Sequence, residues 1–177
     1  DVAMAAELAP LKMERAVFST EITGGEPGPE GVDAVTFTVA TNPGAPFAPL
    51  TKIASGGELS RFILALKVAL AEQGSAQTMI FDEIDRGVGG AVASAIGERL
   101  ARLAQGGQVV VVTHSPQVAA RGGSHMLIAK SSEGTVTRTD VKPLDEAGRR
   151  EEIARMLSGA DITAEARAQA DRLLERV

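Results

Sequence analysis

The sequence has 177 residues, 44% of them apolar, enough to bury one sizeable core and better suited to one domain than to two. Its formal charge of −5 excludes a surface built mainly for nucleic-acid phosphates, which needs concentrated Lys and Arg, so any DNA contact is local or lies elsewhere. Cysteine is absent and only His114 and His125 are available as imidazole ligands, which excludes a disulfide framework, a thiolate metal site and in practice a structural zinc.

No apolar run approaches the ~20 residues that cross a bilayer, and no basic region followed by an apolar stretch opens the chain, so it reads as cytoplasmic, with no membrane partner. Arg99 and Arg102, and Arg149 and Arg150 beside Glu151 and Glu152, read as solvated helix faces. With five Phe and no Trp or Tyr, surfaces for stacking bases are scarce.

Val2 to Met13 carries Leu8 and Leu11 among alanines without a cap in front, which predicts the tail of a helix that began upstream in a longer chain. Alternation at Ala16, Phe18 and Thr20, and again at Val35, Phe37 and Val39, predicts two paired strands around a Gly24–Gly31 turn cluster. After a Pro-rich connection from Pro43 to Pro49, Leu59, Phe62, Ile63, Leu66 and Leu70 recur at helical spacing behind Ser55-Gly56-Gly57.

Thr78-Met79-Ile80-Phe81 and Val109-Val110-Val111-Val112 are short continuous apolar runs, which predicts strands buried on both faces of a largely parallel sheet. Val92, Ile96, Leu100 and Leu103 mark a crossover helix between them. The resulting βαβ unit brings Asp82, Glu83 and His114 out at one edge. Strands over Met126–Lys130 and Thr135–Val141 and helices near Glu146–Leu157 and Thr163–Arg176 complete an α/β chain without internal repeats.

An apolar strand ending in Asp82-Glu83 suits magnesium nucleotide chemistry. One carboxylate holds Mg²⁺ or its waters, and the next side chain reaches a water poised for attack. Strand-end acids also often just meet solvent. Ser55-Gly56-Gly57-Glu58 opens a helix, where unpaired N–H groups and the dipole favour an anion. A simple Ser cap with a glycine turn is the plainer alternative. His114 is placed to donate to a phosphate oxygen or to be an ordinary hydrogen-bonded histidine.

In order and spacing these segments resemble the ABC ATPases. Ser55-Gly56-Gly57-Glu58 looks like the signature motif, Met79-Ile80-Phe81-Asp82-Glu83 like the Walker B strand, Ile84-Asp85 like the start of the D-loop and Val112-Thr113-His114 like the switch-histidine strand. Glu58 and Ile84-Asp85 resemble the SMC-like branch. Within it, Lys52 to Arg61, Phe81 to Asp85, Thr113 to Ala120 and Ile153 to Gly159 are similar to the RecN group. Arg86 and Gly89 depart from the usual D-loop residues, and Ser115 replaces a common Leu.

The resemblance implies the C-terminal lobe of an ABC-type head, with a mostly parallel sheet flanked by helices. Residues 1–14 would end a connecting coiled-coil helix and residues 15–177 would form the lobe. It further implies two heads closing on two ATP. Asp82 would serve Mg²⁺, Glu83 the attacking water, His114 the γ-phosphate, and Ser55, Gly56 and Gly57 the ATP of the partner head, with Asp85 in contact across the dimer. DNA repair and recombination near the nucleoid, with DNA held by other regions, would be the setting.

A Walker A loop needs Gly-Lys before Ser or Thr, and none of Lys12, Lys52, Lys67, Lys130 or Lys142 follows a glycine. Gly87-Val88-Gly89-Gly90 does not complete a dinucleotide fingerprint either, because Val92 stands where its last glycine belongs. The Walker A lobe is therefore expected on a separate or deleted segment. Two alternatives are an ATP-gated dimerisation clamp with vestigial hydrolysis, against which Glu83 and His114 argue, and another SMC-like head, against which Gln117-Val118-Ala119-Ala120 argues.

Overall fold

A computed structural model describes residues 1–53, 55–70, 78–133 and 136–175. Ala54, inside the Lys52 to Arg61 match, and Thr135 and Arg176, at the ends of expected elements, lie outside them. Helix α1 (Val2–Leu8) passes into a 3-10 turn over Ala9–Leu11 and buries Met4, Leu8 and Leu11 at helical spacing. Pro10 sits in the first positions of that turn, where a missing N–H costs nothing.

Strands β1 (Val17–Gly28) and β2 (Gly31–Ala40) form an antiparallel hairpin registered from Val17 opposite Ala40 to Gly24 opposite Asp33. The Gly24–Gly31 stretch, expected as a turn, is mostly strand. Its glycines accommodate a register shift between Gly24 and Gly28, and the chain reverses only at Pro29 and Glu30. Phe18 and Val39 are buried at the base, and the Phe18 and Phe37 rings meet at 5.6 Å. Within the Pro-rich connection, β3 (Ala48–Pro49) adds a short third strand to β2.

Helix α2 (Gly56–Ala69) starts where the glycines place it and buries Phe62, Leu64, Ala65 and Val68. Strands β4 (Thr78–Asp82) and β5 (Gln108–Val112) are parallel, with helix α3 (Gly90–Leu103) between them in sequence. All four apolar positions expected on that helix are buried. Among the described residues the parallel sheet consists of this pair, and the remaining strands pair antiparallel. The β4–β5 pair is not covered on both faces. Met79 enters the core, but Ile80 is 72% exposed and Val110 and Val112 are exposed too, because among the described residues the core packs on the other face.

After β5 a short helix α4 (Pro116–Ala119) leads to the hairpin β6 (Met126–Glu133) and β7 (Val136–Pro143), and to helices α5 (Glu146–Ser158) and α6 (Ala164–Leu174). Ala120, Ile153, Ala154, Ala166 and Ala170 form a second, smaller core there. Asp145 and Thr163 cap the last two helices through hydrogen bonds to Gly148 and Ala166 N–H.

Candidate active site

The site begins with strand register. Asp82 lies opposite Val112, and the Glu83 N–H donates to the Val112 carbonyl at 3.0 Å, so parallel pairing continues one residue past β4. Asp82 and Glu83 therefore emerge at the same edge as Thr113 and His114. Asp82, Glu83 and His114 are all exposed. Glu83 adopts a left-handed backbone with φ 48°, uncommon for a residue with a side chain and concentrated at functional turns. The chain then turns tightly, with Arg86 N–H on Glu83 O at 3.0 Å and Val88 N–H on Asp85 O at 3.2 Å. Arg86 Nη1 stands 3.6 Å from Glu83 Oε2 in an exposed ion pair.

Asp85, expected from the resemblance to act across a dimer, is engaged within its own chain here. Its side chain is 0% exposed, and Oδ2 accepts a hydrogen bond from the Thr113 hydroxyl of the same chain. Ile84 at the preceding position is buried too. Thr113 Oγ1 accepts from the Ser115 N–H at 2.9 Å, and the Ser115 hydroxyl donates to Gln117 Oε1 at 2.9 Å. Motif matching alone missed this link. The available signal was a Thr at the tip of the strand parallel to the one that ends three residues before an Asp.

Ser55 realises its plain role as helix cap, since its hydroxyl accepts the Glu58 N–H at 3.4 Å, a long bond. That does not close the helix start. A Cβ built on Gly56 meets nothing within 4 Å, so the first turn faces open space. On its other side Gly57 packs against the turn after Glu83, where a Cβ would lie 3.4 Å from Arg86 O. The N-terminal end of α2 and the turn after the acid pair of β4 are thus neighbours. A cleft of about 250 Å³ between α2 and β4, lined by Leu59, Ser60, Ile63, Ile80 and Asp82, opens on the bare sheet face. A second, of about 280 Å³, flanks Lys52, Ser55 and Glu58.

Among the described residues no group of three His, Cys, Asp or Glu could enclose a metal ion. One exposed carboxylate at a strand tip nevertheless fits Mg²⁺, which is commonly held by one or two carboxylates together with substrate phosphates and waters. Asp82 is a carboxylate so placed. Among the described residues no helix is long and apolar enough to cross a membrane.

No family model matches the chain. It is 50% identical over 157 residues to the DNA repair protein RecN of Rickettsia conorii, covering 89% of this chain and 29% of that protein. It is 47% identical over 186 residues to the DNA repair protein RecN of Streptomyces coelicolor, covering 98% of this chain and 32% of the relative. The chain thus spans less than a third of the length of the curated relatives it matches. Among solved structures it resembles an Smc head domain with a coiled coil and joint from Pyrococcus yayanosii, with a TM-score of 0.64, 18% identity, and coverage of 89% of this chain and 29% of that one. An Smc head with an extended coiled coil from Pyrococcus furiosus, bound to the C-terminal domain of ScpA, gives a TM-score of 0.60 at 19% identity over 87% of this chain and 37% of that one. With the fold of the SMC heads and sequence identity to RecN proteins along nearly all of its length, the chain belongs to the RecN family, of which it carries a segment.

Proposed function

We propose that this chain is the lobe of a RecN-type ATPase head that carries the signature, Walker B and switch-histidine elements, and that the complete protein hydrolyses ATP between two heads in DNA repair and recombination. The observation that carries this reading is the meeting of Asp82-Glu83, His114 and the open start of α2 at one edge of a parallel strand pair. Asp82 would hold Mg²⁺, which when bound neutralises charge on the nucleotide phosphates. Glu83 takes the proton of the attacking water, and His114 donates to the γ-phosphate. The N–H groups at Gly56 and Gly57, with Ser55, meet the γ-phosphate of the partner head's ATP.

The Walker A half of the site comes from outside these 177 residues, and the bare apolar face around Ile80, Val110 and Val112 is where that lobe packs. Residues 1–14 end the connecting helix. Glu7 joins that helix to α3 through Arg99 at 2.8 Å and Arg102 at 2.7 Å. DNA is held by other regions, in keeping with the charge of −5. The Glu83–Arg86 pair favours a second reading, a clamp in which the base is tied up and hydrolysis is vestigial. An ion pair this exposed is weak and opens readily.

The test is to produce this chain and the Walker A lobe of the same protein separately. Each alone should bind ATP weakly without turnover, and mixing them should restore both. Robust Glu83-dependent hydrolysis by this chain alone would overturn the incomplete-site reading. Ser55→Arg in the full-length protein should abolish ATP-dependent pairing of heads and leave binding of one ATP per head intact. Loss of both together would place Ser55 in its own head's site.

A further inference from the structure

We propose that Asp85 is a positioning residue: by holding Thr113 it ties the loop that carries His114 to the turn that carries Glu83, so that base and histidine are set as one unit. The inference rests on the ATPase reading above and adds the link that makes its two halves act together.

Asp85 lies two residues after Glu83 inside the turn closed by Arg86 N–H on Glu83 O at 3.0 Å and Val88 N–H on Asp85 O at 3.2 Å. The backbones of Glu83 and Asp85 thus belong to one hydrogen-bonded turn. At the other end, the Thr113 hydroxyl donates to Asp85 Oδ2 and accepts the Ser115 N–H at 2.9 Å. The residues on both sides of His114 are thus held by one hydroxyl. The His114 ring is exposed, and what this link fixes is the position of the backbone that carries it. The chain of bonds continues through the Ser115 hydroxyl to Gln117, at the start of α4.

Energetics point the same way. Asp85 is fully buried and its second oxygen, Oδ1, has no hydrogen-bond partner. A buried carboxylate half satisfied costs the fold more than an apolar side chain of similar volume. What the carboxylate contributes is direction, because Oδ2 places the Thr113 hydroxyl and so the loop behind it. A catalytic group moved by about 1 Å loses on the order of 10²-fold in rate, so such a link bears directly on turnover.

The experiment uses the full-length protein with ATP and Mg²⁺ and reads kcat and KM. Thr113→Val should lower kcat about 10- to 100-fold and leave KM for ATP within about twofold, since binding groups are untouched. Thr113→Ser keeps the hydroxyl and should stay within about threefold of the parent, as should Asp85→Asn, whose amide oxygen still accepts; Asp85→Leu should resemble Thr113→Val. In a His114→Ala background, Thr113→Val should cost clearly less than it does in the parent, because one of the two groups it positions is gone. Unchanged kcat in Thr113→Val and Asp85→Leu, with turnover lost in His114→Ala and Glu83→Gln, overturns the link and leaves the ATPase reading standing. A Thr113→Val penalty that persists in full without His114 also overturns it. Unchanged turnover in Glu83→Gln and His114→Ala overturns the ATPase reading itself.

Discussion

The carbonyl oxygen of Arg86 faces Gly57 so closely that a Cβ at Gly57 would lie 3.4 Å from it. The helix start that resembles the signature motif therefore packs on the turn that follows Glu83, and the neighbouring Gly56 looks outward into empty space. The front of α2 and the turn after the acid pair are thus in direct contact.

A Cβ at Gly56 touches nothing in its own chain, so Gly56→Ala should change unfolding free energy by no more than about 0.5 kcal/mol. In the full-length protein the same change should weaken ATP-dependent pairing of heads, because the added methyl lies where a phosphate approaches the helix N–H groups. Denaturant unfolding and light scattering with ATP measure the two effects. Lost stability with unaltered pairing would assign Gly56 a structural role.

Gly97 is a different case. A Cβ there would come within 2.8 Å of Arg121 Cγ, 3.1 Å of Gln117 O and 3.3 Å of Val118 Cα, so α3 and α4 touch backbone to backbone. Arg121 can give way, but the Gln117 carbonyl cannot move without shifting the helix that follows His114. Gly97→Ala should destabilise the chain by about 1–3 kcal/mol. In the full-length protein it should also lower turnover without changing pairing. A melting temperature equal to that of the parent would show that α4 has slack.

Glu7 and Arg99 meet at 2.8 Å with side-chain exposures of only 12% and 7%, whereas Arg102, on the other oxygen, is half exposed. Glu7→Ala leaves Arg99 buried without its counter-charge and should cost about 3–5 kcal/mol. Arg102→Ala removes an arm open to solvent and should cost at most about 1 kcal/mol. Equal, small losses in chemical denaturation would mean that water reaches Arg99 once Glu7 is gone.

Patterned segments were legible in the sequence. The period of Val92, Ile96, Leu100 and Leu103 marked α3, and the glycines after Ser55 marked the start of α2, because both depend on local geometry. The bare face of β4–β5 was not. A continuous apolar run such as Val109–Val112 is the same whether its second face is covered by this chain or by another part of the protein. The bond from Thr113 to the buried Asp85 was not legible either, since the resemblance pointed Asp85 to a dimer contact and nothing local in the sequence ties it to a Thr 28 residues away. Long-range pairs such as Glu7 with Arg99 carry no local signal at all.

His125 gives the pH response. Its Nδ1 is enclosed without a partner, and burial lowers its pKa below the ordinary 6.5, against the pull of Glu152 and with the help of Arg149. The fold holds the ring neutral, so the unfolded chain takes up the proton first as pH falls. Stability is therefore complete above the ordinary value and declines as pH falls through it toward the lowered one. His125→Leu should flatten that decline, seen in melting temperatures measured from about pH 7.5 down to about pH 5. An unchanged slope in the variant would place the titrating group elsewhere.

The central claim, that this edge of the sheet carries the hydrolytic base of an ATP-closed pair of heads, is tested most directly by Glu83→Gln in the full-length protein with Mg²⁺ and ATP. Glutamine keeps the size of the side chain and its ability to orient water but takes no proton, which typically costs ~10²–10⁴-fold in rate. Steady-state hydrolysis should fall by that factor, and light scattering should show the ATP-bound dimer accumulating, since Asp82 and the front of α2 are untouched. Hydrolysis at the parent rate, with no gain in dimer, would contradict the account.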